Sequence, residues 1–157
     1  MHDRDELIQE VASLKQRGGK IVFTNGCFDI LHYGHVRCLA EAKALGDILI
    51  VAVNSDASVR KLKGKNRPIN SEEHRAYVVA SLSAVDYVTI FNEDTPYELI
   101  RSIMPHVLVK GGDWPKEQVV GGSLVEEAGG AVVIIPEEKG FSTTRTIEKI
   151  RSDPSKP

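Results

Sequence analysis

His32 and His35 close the run Thr24-Asn25-Gly26-Cys27-Phe28-Asp29-Ile30-Leu31-His32-Tyr33-Gly34-His35, and imidazoles three residues apart share one side of a helix entrance. Two such rings can donate hydrogen bonds to phosphate oxygens as charge builds during a transfer reaction. The exposed amides and positive dipole end of a helix start favour the same anion. Gly26 and Gly34 let the backbone approach a ligand where a side chain would collide. HxxH spacing can also supply two metal ligands, but zinc hydrolysis needs further ligands and a base, and HExxH is absent. The glycine-and-lysine spacing of a Walker loop and the GxGxxG of a dinucleotide fold are absent too. The run therefore predicts a phosphate cradle without a protein-bound metal.

That cradle works only if a strand precedes it and a helix follows. Lys20 to Thr24 is a short β-branched run that reads as a buried strand, and a helix is expected from near Gly34 to about Leu45. Upstream, Asp3 and Glu6 have capping-box spacing for a helix over about 4–17, closed by Gly18-Gly19. Downstream, Ile48 to Val53 is a nearly unbroken apolar run, as in a central parallel strand covered on both faces. Further strands are expected at Tyr87–Phe91, Val107–Val109 and Ala131–Ile135. Intervening helices are signalled by Asn70 with Glu73, by Thr95 with Glu98 and proline at the first helical position, and by Ser123 with Glu126. The last helix is expected over Thr143 to Ile150, with a frayed tail over 152–157. The basic, polar stretch from Asp56 to Pro68 reads as a mobile loop.

The alternation predicts an α/β, Rossmann-like, doubly wound parallel sheet of five strands with helices on both faces. Ligands of such sheets bind beyond the carboxyl ends of the strands, where the strand order reverses. One domain over 1–157 is expected, its core over about 20–150. With 20 basic against 22 acidic side chains, no overall cationic field draws the chain to nucleic acid or to an anionic membrane. Cys27 and Cys38 read as reduced packing residues. A polar, acidic start and the lack of a long apolar run predict a cytoplasmic protein.

The HxGH element with its preceding Asn-Gly-x-Phe-Asp resembles the cytidylyltransferase-like nucleotidyltransferase superfamily. A second superfamily element, Ser-Thr-Thr opening the final helix, stands at Ser142-Thr143-Thr144 after Gly140-Phe141. Within the superfamily the chain is most similar to the adenylyltransferases that make ADP-heptose from heptose 1-phosphate. Segments carrying that likeness include Val53-Asn54-Ser55-Asp56-Ala57-Ser58, Arg67-Pro68-Ile69-Asn70, Glu93-Asp94-Thr95-Pro96 and Val109-Lys110-Gly111-Gly112-Asp113.

The resemblance implies AMP transfer from ATP to D-glycero-D-manno-heptose 1-phosphate, with Mg²⁺ carried by the triphosphate and pyrophosphate released. It implies that Asn25, Gly26, Phe28, Gly34, Ser142, Thr143 and Thr144 surround the nucleotide, with His32, His35 and Lys63 as the catalytic set. Arg75 matches a phosphate clamp, against the plainer reading of surface pairing to Glu72. Lys110 and Gly111 follow a strand where glycine permits close approach, and Asp113 can accept from sugar hydroxyls; Asp29 is a second acceptor-pocket candidate. Relatives of this kind imply a homodimer, and a free-standing form served by a separate kinase. One departure is plain: where cytidylyltransferases carry Arg-Thr-Glu-Gly before the Ser-Thr-Thr motif, this chain has Glu137-Glu138-Lys139-Gly140. The missing arginine weakens a CTP-dependent reading, such as a glycerol 3-phosphate cytidylyltransferase. A non-catalytic nucleotide sensor is the reading from another class. A flavodoxin-like carrier has only the sheet in its favour.

Overall fold

Strand alternation decides which side chains meet the ligand, because successive residues point to opposite faces of the sheet. The computed structural model describes residues 3–152, so the expected tail lies, from 153 on, outside the described residues. Five strands form one parallel sheet: β1 (Ile21–Gly26), β2 (Ile48–Asn54), β3 (Tyr87–Phe91), β4 (Val107–Gly111) and β5 (Ala131–Ile135), in the order β3-β2-β1-β4-β5. Seven helices cover it: α1 (Arg4–Gln16), α2 (Tyr33–Lys43), α3 (Asp56–Lys63), α4 (Glu72–Ala80), α5 (Tyr97–Ile103), α6 (Gly122–Glu127) and α7 (Thr143–Arg151). The doubly wound reading holds, and the order reverses between β1 and β4.

Both faces of the sheet are packed. On one, Ile21 and Phe23 of β1 and Leu108 of β4 meet Leu7 and Val11 of α1, Leu99, Ile100 and Ile103 of α5, and Val125 of α6. On the other, Val22 and Val109 meet Leu39 and Ala42 of α2 and Ala76 and Val79 of α4. Apolar burial of this kind contributes about 25 cal/mol per Å² and fixes the register. Carried one residue past the Thr24–Val109 pairing, the alternation turns Asn25 and Lys110 toward the α1/α5 face. It turns Gly26 and Gly111 toward the α2 face.

Several local expectations need correction. The stretch read as a mobile loop is, over Asp56–Lys63, the helix α3. Ser55 caps it by accepting from the Ser58 amide, and Ser58 and Val59 are buried. The cap of α4 is Ser71 rather than Asn70, whose own amide is taken by Asp29. Pro96 stands at the cap position of α5 and not inside it, and Thr95 makes no capping bond. Gly121, not Ser123, precedes α6. Asp3 does cap α1, through the Asp5 amide.

Candidate functional site

Between β1 and α2 the chain makes a tight turn held by one buried carboxylate. Phe28 and Ile30 sit at φ of 47° and 52°, a left-handed backbone that a β-branched isoleucine rarely adopts. Such residues cost about 1–3 kcal/mol each and persist where their surroundings over-determine them. The over-determination comes from Asp29 between them. Its carboxylate accepts from Arg67 Nε (2.7 Å) and from the amides of Ile69 (2.8 Å) and Asn70 (3.0 Å). Burial alone would raise its pKa, but those donors hold it below the usual carboxylate range. Its carbonyl accepts from Thr143 Oγ1 at 2.8 Å, joining the turn to the first residue of α7.

That join brings two helix starts together. Ser142 caps α7 by accepting from the Arg145 amide at 3.1 Å, as N-capping requires. Phe141 packs on Tyr33 with ring centroids 5.1 Å apart, and Arg37 of α2 pairs with Glu138. The Glu137-Glu138 departure thus contributes a tether: a carboxylate clamps the lead-in of α7 to α2.

His32 and His35 stack at the start of α2, centroids 3.8 Å apart and planes 23° from parallel. A Cβ on Gly34 would lie 3.2 Å from the His32 ring, so any other residue there would push the ring outward by a few tenths of an ångström. Nδ1 of His35 accepts from the His32 amide at 3.4 Å, which assigns its proton to Nε2. Burial first, then the neighbouring His32, push the His35 pKa down to about 4 against the pull of Asp29. His35 is therefore a neutral donor near pH 7. Burial also lowers His32, partly opposed by Glu137. Nδ1 of His32 is buried without a hydrogen-bond partner, an atom that a ligand or a water would satisfy.

Two expected ligand contacts are instead structural ties. Arg75 is 2% exposed, and its guanidinium donates to the carbonyls of Asn70 (3.0 Å), Cys27 (2.5 Å) and Asn54 (2.7 Å) and to the Asp56 carboxylate (2.8 Å). Each nitrogen of the fork makes at least one bond to the chain, which binds Arg75 into the turn and corrects the reading of a surface pair with Glu72. Glu72 accepts from the Asp56 amide. Asp29, at 1% exposure, is enclosed by its three donors and does not face an acceptor pocket. Both residues fix the turn from beneath.

Free cations stand above them. Lys61 is paired with Asp94 at 2.6 Å, whereas Lys63 and Lys110 carry no ion pair among the described residues. Burial lowers the Lys110 pKa, and so does the charge of Lys63, partly opposed by Cys27. Lys63, Arg75, Arg67 and Lys110 all act on the Cys27 thiol, yet burial outweighs them and raises its pKa. Lys63 is exposed at the end of α3, and its charge is felt at both Cys27 and Lys110. Gly112 has φ 114°, and the Trp114 ring edge lies 3.0 Å from where its Cβ would be. Trp114 so folds back toward β4, with Lys110 Nζ 5.5 Å from its ring centre. Asp113 is exposed beside it. Among the described residues no three His, Cys, Asp or Glu side chains group as a metal set, and no helix is long and apolar enough to cross a membrane.

Sequence reasoning missed the crevice beside Lys110. About 100 Å³ in volume, it is lined by Asn25, Pro96, Leu108, Lys110, Trp114, Gln118 and Val119 among others. The period-2 pattern of β1 and β4 was the available signal, since it turns Asn25 and Lys110 to one face.

The family model described as cytidylyltransferase-like matches residues 23–149. The chain is 53% identical over 148 residues to a bifunctional protein HldE of Pelobacter propionicus, and 58% identical over 147 residues to one of Nitratiruptor sp.. Each alignment covers 94% of this chain and 30% of the relative, so the chain spans under a third of the length of these curated relatives. Among solved structures, the lipopolysaccharide core biosynthesis protein of Thermoplasma volcanium matches at TM-score 0.64 and 31% identity, over 79% of this chain and 100% of that one. The pantoate-beta-alanine ligase of Francisella tularensis shares the fold at TM-score 0.62 and 18% identity, over 89% of this chain and 70% of its own.

Proposed function

The chain belongs to the cytidylyltransferase-like family, and from that premise we propose that it transfers AMP from ATP to D-glycero-D-manno-heptose 1-phosphate, releasing pyrophosphate and forming ADP-heptose for lipopolysaccharide biosynthesis. The observation that carries the reading is the pair of helix starts at the carboxyl edge of the sheet. One bears a stacked, deprotonated histidine pair with an unpartnered buried nitrogen, and the other is fixed beside it by Thr143 and Asp29. The likeness to the HldE proteins and to the lipopolysaccharide core biosynthesis protein supports the choice of acceptor.

The chemistry needs little from the protein beyond alignment and charge. The acceptor's phosphate oxygen attacks the α-phosphorus of ATP while the bond to the bridging oxygen of pyrophosphate breaks. That nucleophile is largely ionised at neutral pH, the second phosphate pKa being about 6, so no general base is required. The Nε2–H of His35, His32 and the amides opening α2 donate to the oxygens where charge gathers. Lys63 and Lys110 neutralise the incoming and leaving phosphates, and Ser142, Thr143 and Thr144 hold the nucleotide at α7. Mg²⁺ enters with the triphosphate as part of the substrate.

Pyrophosphate release from ATP, CTP or GTP with a panel of sugar and polyol phosphates tests this reading. ATP with heptose 1-phosphate is expected to give the highest kcat/KM. Faster turnover with CTP and glycerol 3-phosphate would replace the assignment with a cytidylyltransferase, and ATP binding without release under any pairing would replace it with a sensor.

A further inference from the structure

We infer that Arg67 is a phosphate-binding residue, its guanidinium anchored at Nε by Asp29 and open at its terminal nitrogens to a phosphate group of a substrate. The inference rests on the transferase reading above and adds a cation that lies in neither the HxGH nor the Ser-Thr-Thr element.

A contrast between the two arginines of the turn is the first support. Arg75 places each side-chain nitrogen on an oxygen of the chain. Arg67 uses one. Its Nε donates to Asp29 Oδ2 at 2.7 Å, and its terminal nitrogens make no hydrogen bond with another described residue. Among the described residues the buried side-chain atom without a partner is His32 Nδ1, so the open nitrogens of Arg67 reach solvent. A guanidinium carries several N–H donors in a rigid plane, and a tie to Asp29 alone leaves most of them unused. The anchor also holds the fork still. Only 14% of the side chain is exposed, the Arg67 amide donates to the Gly64 carbonyl at 3.1 Å, and Asp29 is itself locked by the Ile69 and Asn70 amides. Donors fixed in advance lose little rotamer freedom when they close on an anion.

Charge is the second support. Arg67 acts on the Cys27 thiol together with Lys63, Arg75 and Lys110, so four cations are felt at the residue that follows β1. Asp29 balances Arg67 and Asp56 balances Arg75, while Lys63 and Lys110 have no ion pair among the described residues. The turn therefore carries surplus positive charge, which a bound anion offsets. A lysine meets phosphate as a point charge, but an arginine fork can grip two of its oxygens at once and so fixes its orientation. In-line transfer depends on that orientation.

Phenylglyoxal, which adds to the terminal nitrogens of arginine, tests the parent chain directly. Arg67 should be modified, and Arg75, bonded and 2% exposed, should not. The substrate whose phosphate Arg67 holds should slow that modification about tenfold at saturation. Protection by ATP assigns the contact to the triphosphate, and protection by heptose 1-phosphate assigns it to the acceptor's phosphate. An Arg67 that does not react, or that neither substrate protects, would overturn the inference. Arg67→Lys keeps a cation for Asp29 and loses the fork, so its urea midpoint should stay close to that of the parent. The KM of the protecting substrate should rise about tenfold, with the other KM moving less than about twofold. Unchanged KM and kcat in the folded variant would reduce Arg67 to a tie for Asp29 and leave the transferase standing. Should Arg67→Lys fail to fold, protection of the parent chain decides. Protection by ATP in a chain that releases pyrophosphate under no pairing would support the contact and sink the transferase.

Discussion

Two polar regions lie within one turn of each other and differ in a single respect. Beneath the β1–α2 turn, the Asp29 carboxylate accepts three hydrogen bonds and the Arg75 guanidinium donates four, all within the chain. Above it, His32 Nδ1 has no partner, and Lys63 and Lys110 carry no ion pair among the described residues. Buried polar groups are costly unless satisfied, so the lower region is closed for stability and the upper one is open for a ligand. Residue type does not separate them, for each contains cations beside backbone carbonyls or amides. What separates them is where the hydrogen bonds end.

The largest expected effect breaks the lower region. Arg75→Ala leaves three carbonyls and Asp56 without their donor, and truncating one partner of a buried pair costs about 3–5 kcal/mol. Denaturant unfolding should show that loss, and Arg75→Lys should recover little of it because an ammonium cannot reproduce the fork. A variant of normal stability with a raised ATP KM would restore Arg75 to the phosphates and erase the contrast. Next in size is the upper region. His35→Ala should lower kcat on the order of a hundredfold to a thousandfold, the usual result of removing one donor to a developing oxyanion. Its ATP affinity should change far less, and its folding should survive. Normal turnover in the folded variant would show that the stacked pair is packing only.

This contrast also marks what could be read from the residues. The strand series was legible because runs such as Tyr87–Phe91 and Ala131–Ile135 announce themselves by β-branching and length. The helix starts at His32 and Ser142 were legible because glycine and cap residues act locally. Partners far apart in sequence were not. Asp29 reaches 38 to 41 residues to Arg67, Ile69 and Asn70, and Arg75 reaches 48 back to Cys27, so neither motif shows that its side chain is spent. The helix α3 was hidden for the same reason. Its basic sequence buries only Ser58 and Val59, while Glu72 and Arg75 anchor its first residue from another helix. Asn70 looked like a cap until Asp29 claimed its amide.

The smallest effect is a matter of pH, and it separates the two regions by where each loses stability. His35 has a folded pKa of about 4, below the roughly 6.5 of an unfolded histidine. Between those values the unfolded chain binds a proton that the native site refuses, so the contribution of His35 is complete above pH 6.5 and shrinks as pH falls toward 4. The folded pKa of Asp29 is also depressed, but from a carboxylate's lower starting value. Its contribution is therefore intact through that window and declines only as pH falls below about 4. His32 and His106, lowered chiefly by burial, add to the first window. Urea midpoints at pH 7, 6 and 5 should fall in the parent chain and fall less steeply in His35→Asn, whose side chain does not titrate. Parallel curves for the two proteins would mean that the imidazole is not held neutral by its surroundings, and the upper region would lose the feature that makes it a donor to phosphate at neutral pH.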